Sequence, residues 1–415
     1  MPGDPVVATS DPGEGGAFRL GVNYWPAESA MDWLTVYDAL ATRRDFRRIR
    51  AAGFDCVRVF VRWADVQPAE ATIDTAVLGR LVDTADAAAE VGAELIVTLF
   101  VGHMSGVNWA PAWAAGGVDG DRRFRVVVPG TKTSAAGLRN WYSDPGIGAA
   151  QERLAGSVAS ALRGHPAVWM WDLGNENSNC TVPPDAAAGS AWLERMTGAV
   201  RAADPGRLIT LGLHMEDLED DRRIGPLEVA RHCDVVSMHG YPAYTGWVDG
   251  PTDDRLLPFL ALVTRWLAGG AEVLFEEFGL PTGSPPGTGP GRLVDEETAA
   301  AYTARALDGL RRAGCTGALL WCFADYAATL HGQPPFDEAR HERSFGLWRA
   351  DGSPKPAVAE ITRRAGSLRR PPPADLPWLD IGVEEFAADR TGQLTRLYRR
   401  YCEEGISTIR SQRLD

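Results

Sequence analysis

Two glutamates stand where apolar, strand-like runs end. The run AVWMWDLG (167–174) leads into Asn175 and Glu176, and Glu277 lies in EVLFEEF (272–278). Two carboxylates on either side of a bond suit the hydrolysis of a glycosidic bond, because one protonates the leaving oxygen while the other attacks the anomeric carbon. A single strand-end glutamate is ordinarily just a solvated charge. Two of them, inside apolar runs and flanked by Asn175 and by Phe278-Gly279, favour chemistry. Other reactive or hydrogen-bonding types end neighbouring runs: Asn23, Arg58, His103, His239, Tyr241 and Trp321.

The elements that must position these groups follow a repeated pattern. Strand-like runs occur at 18–25, 54–61, 94–101, 167–174, 207–213, 234–240, 272–278 and 317–323, and amphipathic helical segments such as 43–53, 76–92, 151–164 and 298–314 lie between them. Parallel strands need a crossover between each pair, and a helix supplies it. Near-continuous apolar strands are buried on both faces. The pattern predicts an α/β fold, a (β/α)8 TIM barrel, with reactive groups at the C-terminal ends of the strands. A doubly wound sheet is the alternative, but no Gly-rich dinucleotide turn follows the first strand. Residues 1–16 read as a disordered segment, 17–366 as the barrel, and 367–415 as an extended linker and a C-terminal helical extension in which EEFAADRTGQLTRLYRRYCEEG (384–405) forms one helix. That helix either packs back on the barrel or joins a homodimer. The Gly/Pro-rich stretch 280–294 reads as a lid loop.

Composition narrows the partners. The chain has 415 residues, a formal charge of −13 and 45% hydrophobic residues, which is ordinary for a globular enzyme and unlike a nucleic-acid binder. Neither a membrane span nor a basic n-region with an apolar h-region is visible, so a cytoplasmic location is the expectation. The six cysteines form no C-x-x-C pair and mostly lie in apolar runs, as buried thiols do. No H-E-x-x-H, P-loop or G-x-S-x-G occurs. The acidic run Met215–Asp221 lacks EF-hand spacing and reads as a solvated loop, His214 reads as a structural histidine, and the sequon at Asn179 reads as chance, being too near Glu176 to carry a glycan.

The motifs LGNEN (173–177), VLFEEFG (273–279), VRVFVRW (57–63), SMHGYP (237–242), LLWCF (319–323) and SFGLWRADGSPKPAV (344–358) resemble glycoside hydrolase clan A, and within it family 5, the cellulases, mannanases and β-mannosidases. The resemblance covers residues 18–365. It implies Glu176 as acid/base and Glu277 as nucleophile of a retaining double displacement, with Arg58 and Tyr241 beside Glu277. It further implies His239 and Asn175 at the sugar, Trp321 beneath it, and no cofactor or metal. Apolar surroundings from Trp169 and Trp171 would keep Glu176 protonated, and Glu276 should turn away from the site because neighbouring strand residues face opposite sides. His103, Asn108 and Trp109, directly after the third strand, are candidate sugar contacts, and two or three of Trp25, Trp63, Trp109, Trp113 and Trp247 should stack on sugar faces. The large insertion after the third strand and the short gaps after the second and sixth favour an exo-acting, β-mannosidase-like enzyme on β-linked oligosaccharides. Endo-mannanase or β-glucanase, β-glucosidase and β-galactosidase stay open, as do transfer to an acceptor other than water and a non-catalytic carbohydrate-binding barrel.

Overall fold

The computed structural model describes residues 16–411 apart from 120–122, 131–133, 136 and 284–292. The disordered segment expected before residue 16 and most of the expected lid loop therefore lie outside the described residues.

Eight parallel strands close into a barrel: β1 (Arg19–Asn23), β2 (Cys56–Arg62), β3 (Glu94–Val101), β4 (Val168–Asn175), β5 (Leu208–Leu213), β6 (Val236–His239), β7 (Val273–Phe278) and β8 (Gly317–Leu320). Each pairs with its sequence neighbour, and β8 returns to β1 with Arg19 opposite Gly317. Every run read as a strand is one of them. The main helices are α1 (Ala39–Ala51), α2 (Thr75–Val91), α3 (Pro145–Ala161), α4 (Ala186–Ala203), α5 (Pro226–His232), α6 (Leu256–Leu267), α7 (Glu296–Arg312) and α8 (Pro356–Thr362).

Local chemistry fixes where these helices begin. Asp38, Asp74, Asp144, Asp185 and Asp295 each accept hydrogen bonds from first-turn backbone N–H groups that lack intrahelical partners. Pro145 occupies the first turn of α3, where its missing N–H costs nothing. Gly92 ends α2 at φ +66°, the left-handed cap that glycine adopts without strain. Inside the barrel Gly21 admits close packing: a Cβ there would sit 2.4 Å from Leu319 Cγ.

The insertion after β3 folds into a small sheet of its own, His103–Met104, Val107–Trp109, Arg125–Val127 and Ser134–Ala135. At the C-terminus two helices replace the single one expected, Val383–Ala388 and α9 (Arg390–Ser411). Asp389 breaks them at φ −151° and accepts from Gly392 N. Trp378 and Tyr398 pack their rings on Phe259 of α6, and Tyr398 OH donates to Asp253 Oδ2 at 2.6 Å. All six cysteines are free thiols, five of them buried. No helix among the described residues is long and apolar enough to cross a membrane.

Candidate active site

The ends of β4 and β7 bring the two glutamates together. Glu176 follows β4 in the left-handed region at φ +50°, a conformation that costs a non-glycine residue energy and often marks a functional position. Its backbone N–H donates to Gly212 O of β5 and its carbonyl accepts from Asn179 N, which hold the turn. Glu277 lies opposite His239 in the β6–β7 register. One oxygen of Glu176, one oxygen of Glu277 and a ring nitrogen of His239 all lie within 4.8 Å of one another. That spacing is in the range of the short separation between a nucleophile and its acid partner.

Arg58 of β2 organises the floor. It is fully buried and its guanidinium donates to Glu277 Oε2 (3.2 Å), Asp172 Oδ2 (2.7 Å), Asn175 Oδ1 (3.0 Å) and Asn23 Oδ1 (3.2 Å). Tyr241 OH donates to the other oxygen of Glu277 at 2.5 Å. His239 Nδ1 lies 3.0 Å from Glu176 Oε1, and Asn179 Nδ2 donates to Glu176 Oε2 at 3.1 Å. Asn175 Nδ2 donates to the His103 carbonyl, while His103 Nδ1 meets Asn108 Oδ1 at 2.8 Å. Burial pulls the His103 imidazole down, so it is neutral. Asn108 already donates its amide to Asn179 O, so His103 Nδ1 carries the proton and its Nε2 lone pair faces Glu176, 3.8 Å away.

A cavity of about 360 Å3 opens over these groups and is lined by His103, Asn175, Glu176, His239, Tyr241, Glu277 and Trp321 among others. A larger one of about 490 Å3, beside α1 and bounded by Arg44, Arg48 and Arg349, contains neither glutamate. Arg58 lies beneath the cavity and Asn108 behind His103, so both act through the groups they hold. Trp109 faces a different cavity, of about 460 Å3, reached over Asp32 and Arg125.

Several expectations change here. Glu276 does not turn away: it is fully buried, 3.4 Å from Arg58 Nε and 3.6 Å from His239 Nε2. Strand register shifts between Met238 and His239 and between Phe275 and Phe278, so simple alternation fails at this point. Trp25, Trp63, Trp113 and Trp247 serve packing, with Trp25 stacked on Phe60 and Trp63 edge-on to Trp113 and Trp141. Trp247 abuts Tyr398. Among the described residues Trp321 is the one tryptophan that lines the cavity of the two glutamates. The run 215–221 is wall and not a solvated loop: Met215, Glu216 and Glu219 line the cavity, and Asp217 is buried, accepting from His214 N. His214 lines the cavity too, with Nε2 2.9 Å from Ser178 Oγ.

Sequence reasoning missed Asp172, Phe124 and Tyr244. Asp172 carried a signal, a lone acid inside an apolar strand run. Its carboxyl takes bonds from Arg58, Thr98 and the Gly174 and Gly212 amides. Burial, followed by the Glu276 charge, pushes it up to about 6.

The protonation pattern also differs from the expectation for Glu176. Trp169 and Trp171 do not surround it, since Arg19 stacks on Trp169 and Trp171 Nε1 donates to Asp204. Glu176 meets imidazoles instead. Burial raises its carboxyl, but the charges of His214 and His239, with the His239 hydrogen bond, outweigh that and pull it down. Burial and, after the lowering charge of His239, the Glu176 charge push Glu277 up, to about 7. His239, lowered by burial but raised by Glu277 and by its bond to Glu176, reaches about 10 and is an imidazolium. Between these side chains alone, the proton shared by the pair favours Glu277. Glu176, His239 and Glu277 are also the one grouping among the described residues with metal-ligand spacing. Arg58 and the His239 imidazolium already supply cations there.

This predicts a pH profile. The pair loses its single proton as pH rises through about 7, so kcat/KM should fall along an alkaline limb near that value. The Tyr241 hydrogen bond lowers Glu277. Tyr241→Phe should therefore move the alkaline limb upwards and lower kcat about tenfold, the worth of a hydrogen bond to a charged group. A limb that stays in place in the variant would show that Tyr241 does not serve the ionised carboxylate.

A model of the glycosyl hydrolase family 5 cellulase family matches residues 20–326. A rice (Oryza sativa subsp. japonica) protein described as "putative mannan endo-1,4-beta-mannosidase 5" is 26% identical over 66% of this chain, and the match spans 60% of that protein's length. Among solved structures, a GH5_18 variant of Streptomyces cattleya in complex with Manβ1-4GlcNAc superposes with a TM-score of 0.76 at 25% identity, over 94% of this chain and 92% of that one. An exo-β-1,4-mannosidase from Opitutaceae bacterium strain TAV5 gives 0.67 at 27% identity, over 84% of this chain and 59% of that one.

Proposed function

The chain belongs to glycosyl hydrolase family 5, and on that premise we propose that it is a glycosidase, a retaining, exo-acting β-mannosidase of short β-linked oligosaccharides. The observation that carries the reading is the pair Glu176 and Glu277, with carboxylate oxygens within 4.8 Å in a cavity of about 360 Å3. Such a volume is at the small end for ligand sites and suits a terminal disaccharide unit better than a polymer. The manno configuration draws support from the exo-β-1,4-mannosidase and Manβ1-4GlcNAc likenesses.

Glu277 attacks the anomeric carbon and Glu176 gives its proton to the glycosidic oxygen, leaving a glycosyl–Glu277 ester. Water then attacks with Glu176 as base, and Glu277 leaves. The glycosidic oxygen accepts a hydrogen bond only from protonated Glu176. Binding therefore draws the shared proton from Glu277 to Glu176, while Arg58 and Tyr241 donate to both oxygens of Glu277 and favour its ionised form. The leaving group lies on the Glu176 side, over Asn179, His214 and Glu216 of the β4 and β5 loops, and the retained sugar lies over Trp321.

Aryl β-mannoside, glucoside, galactoside and xyloside, together with Manβ1-4GlcNAc and soluble mannan, form the test. Preferred turnover of the mannoside and the disaccharide is the expected result. A rapid fall in mannan viscosity without aryl mannoside turnover would instead establish the endo-mannanase reading, which the name of the rice relative favours.

A further inference from the structure

Three consecutive residues of the β3 insertion, Arg123, Phe124 and Arg125, cross the rim from one wall to the other. Arg123 donates to both oxygens of Glu216 in the β5 loop, at 2.7 and 2.5 Å. Arg125 pairs with Asp337 and, at 3.0 Å, with Glu338 in the loop after β8. Between these anchors Phe124 sits on the His103 ring, centroids 4.4 Å apart, and lines the catalytic cavity.

Neighbouring residues of this segment face different spaces. Phe124 and Ala339 line the catalytic cavity, whereas Arg125 and Asp337 line the outer cavity of about 460 Å3, together with Asp32, Trp109 and Gln333. The Arg125–Asp337 contact is thus part of the partition between the two. The outer cavity belongs to the loops of β1, β3 and β8, away from the β4 and β5 loops where the leaving group sits. A sugar attached to the non-reducing side of the retained one would have to pass through this partition.

We propose that Arg123–Phe124–Arg125 is a strap that ends the cleft beyond the retained sugar and confines cleavage to terminal residues, with the Arg125–Asp337 contact as the element that closes it. The inference rests on the glycosidase reading above and adds the residues that set exo action. Freed of the Arg125 anchor, the strap would admit one or more further β-linked hexoses into the outer cavity, where Asp32, Gln333 and the Trp109 indole N–H offer hydrogen-bonding groups. The Trp109 Nε1 is buried and has no hydrogen-bond partner.

The test compares the wild type with Arg125→Ala and with the exchanged pair Arg125→Asp/Asp337→Arg, on reduced β-1,4-mannopentaose and on an aryl β-mannoside. With the strap intact, mannose should leave one unit at a time. Arg125→Ala should keep aryl mannoside turnover within about twofold and raise internal cleavage about fivefold, the scale set by losing a partly exposed ion pair. The exchanged pair should restore the single-unit ladder. A second readout needs no turnover: on a Glu277→Ala background, calorimetry should show the affinity of mannotetraose relative to mannobiose rising once Arg125 is removed. An unchanged ladder in a folded Arg125→Ala enzyme, or a wild type that already cuts internally, would overturn the strap and leave the glycosidase reading standing. Silence of the wild type on every glycoside would overturn both.

Discussion

Glu277→Ala should lower turnover of an aryl β-mannoside at least about 10⁴-fold, because the loss of a covalent nucleophile removes the low-barrier route itself. The cavity left by the side chain lies beside Tyr241 and Arg58, so a small anion can enter it. Added azide should restore turnover and yield the α-glycosyl azide, since it attacks from the face that Glu277 uses. Glu176→Ala should behave differently. It should lose about 10²–10⁴-fold on poor leaving groups and much less on activated aryl groups, which need no proton. Azide should then intercept the glycosyl–Glu277 ester and give the β-glycosyl azide. The configuration of the azide product decides between the two role assignments. This matters because the side chains alone place the shared proton on Glu277. A β-azide from Glu277→Ala would reverse the roles.

Arg58→Met should abolish activity and destabilise the fold by about 3–5 kcal/mol, the cost of leaving buried charge unpaired. Arg58 is fully buried and contacts three carboxylates, those of Asp172, Glu276 and Glu277. Its guanidinium is raised, with burial lowering it and the Glu276, Asp172 and Glu277 charges more than compensating. Without it Glu276 and Glu277 keep the His239 imidazolium beside them, while Asp172 loses the guanidinium it is paired with. Denaturant unfolding measures the loss. A companion Asp172→Asn should cost less and partly offset Arg58→Met in the double variant, since it removes one of the stranded charges. Additive effects of the two changes would show that the network is not a unit.

Much of this site is legible in the amino-acid sequence. Strand runs rich in Val, Ile, Leu and Phe recur at the spacing of a barrel, and all eight became strands because nothing local opposed them. The polar residues that end those runs had to reach one rim, since parallel strands all point the same way. Glu176, Glu277, His239, Tyr241, Asn175, His103 and Trp321 accordingly share one cavity. The rim tryptophans misled for a plain reason: a bulky aromatic near a loop packs under that loop as readily as it faces a sugar, and the sequence does not distinguish these.

What the sequence determined by itself is the barrel, its strand order and the types of group at its mouth. Periodicity and residue type are local properties, and the crossover rule converts them into topology. What only the tertiary structure decided depends on register and on contacts between distant loops. Irregular pairing near the end of β7 put Glu276 in the charged floor when alternation had turned it away. The imidazoles of His214 and His239, brought in from β5 and β6, rather than neighbouring tryptophans, set the charge on Glu176. The partition of the cleft by Arg125 and Asp337 joins residues 212 positions apart. No pattern along the chain encodes such a meeting, because it is fixed by how two insertions fold over the same rim.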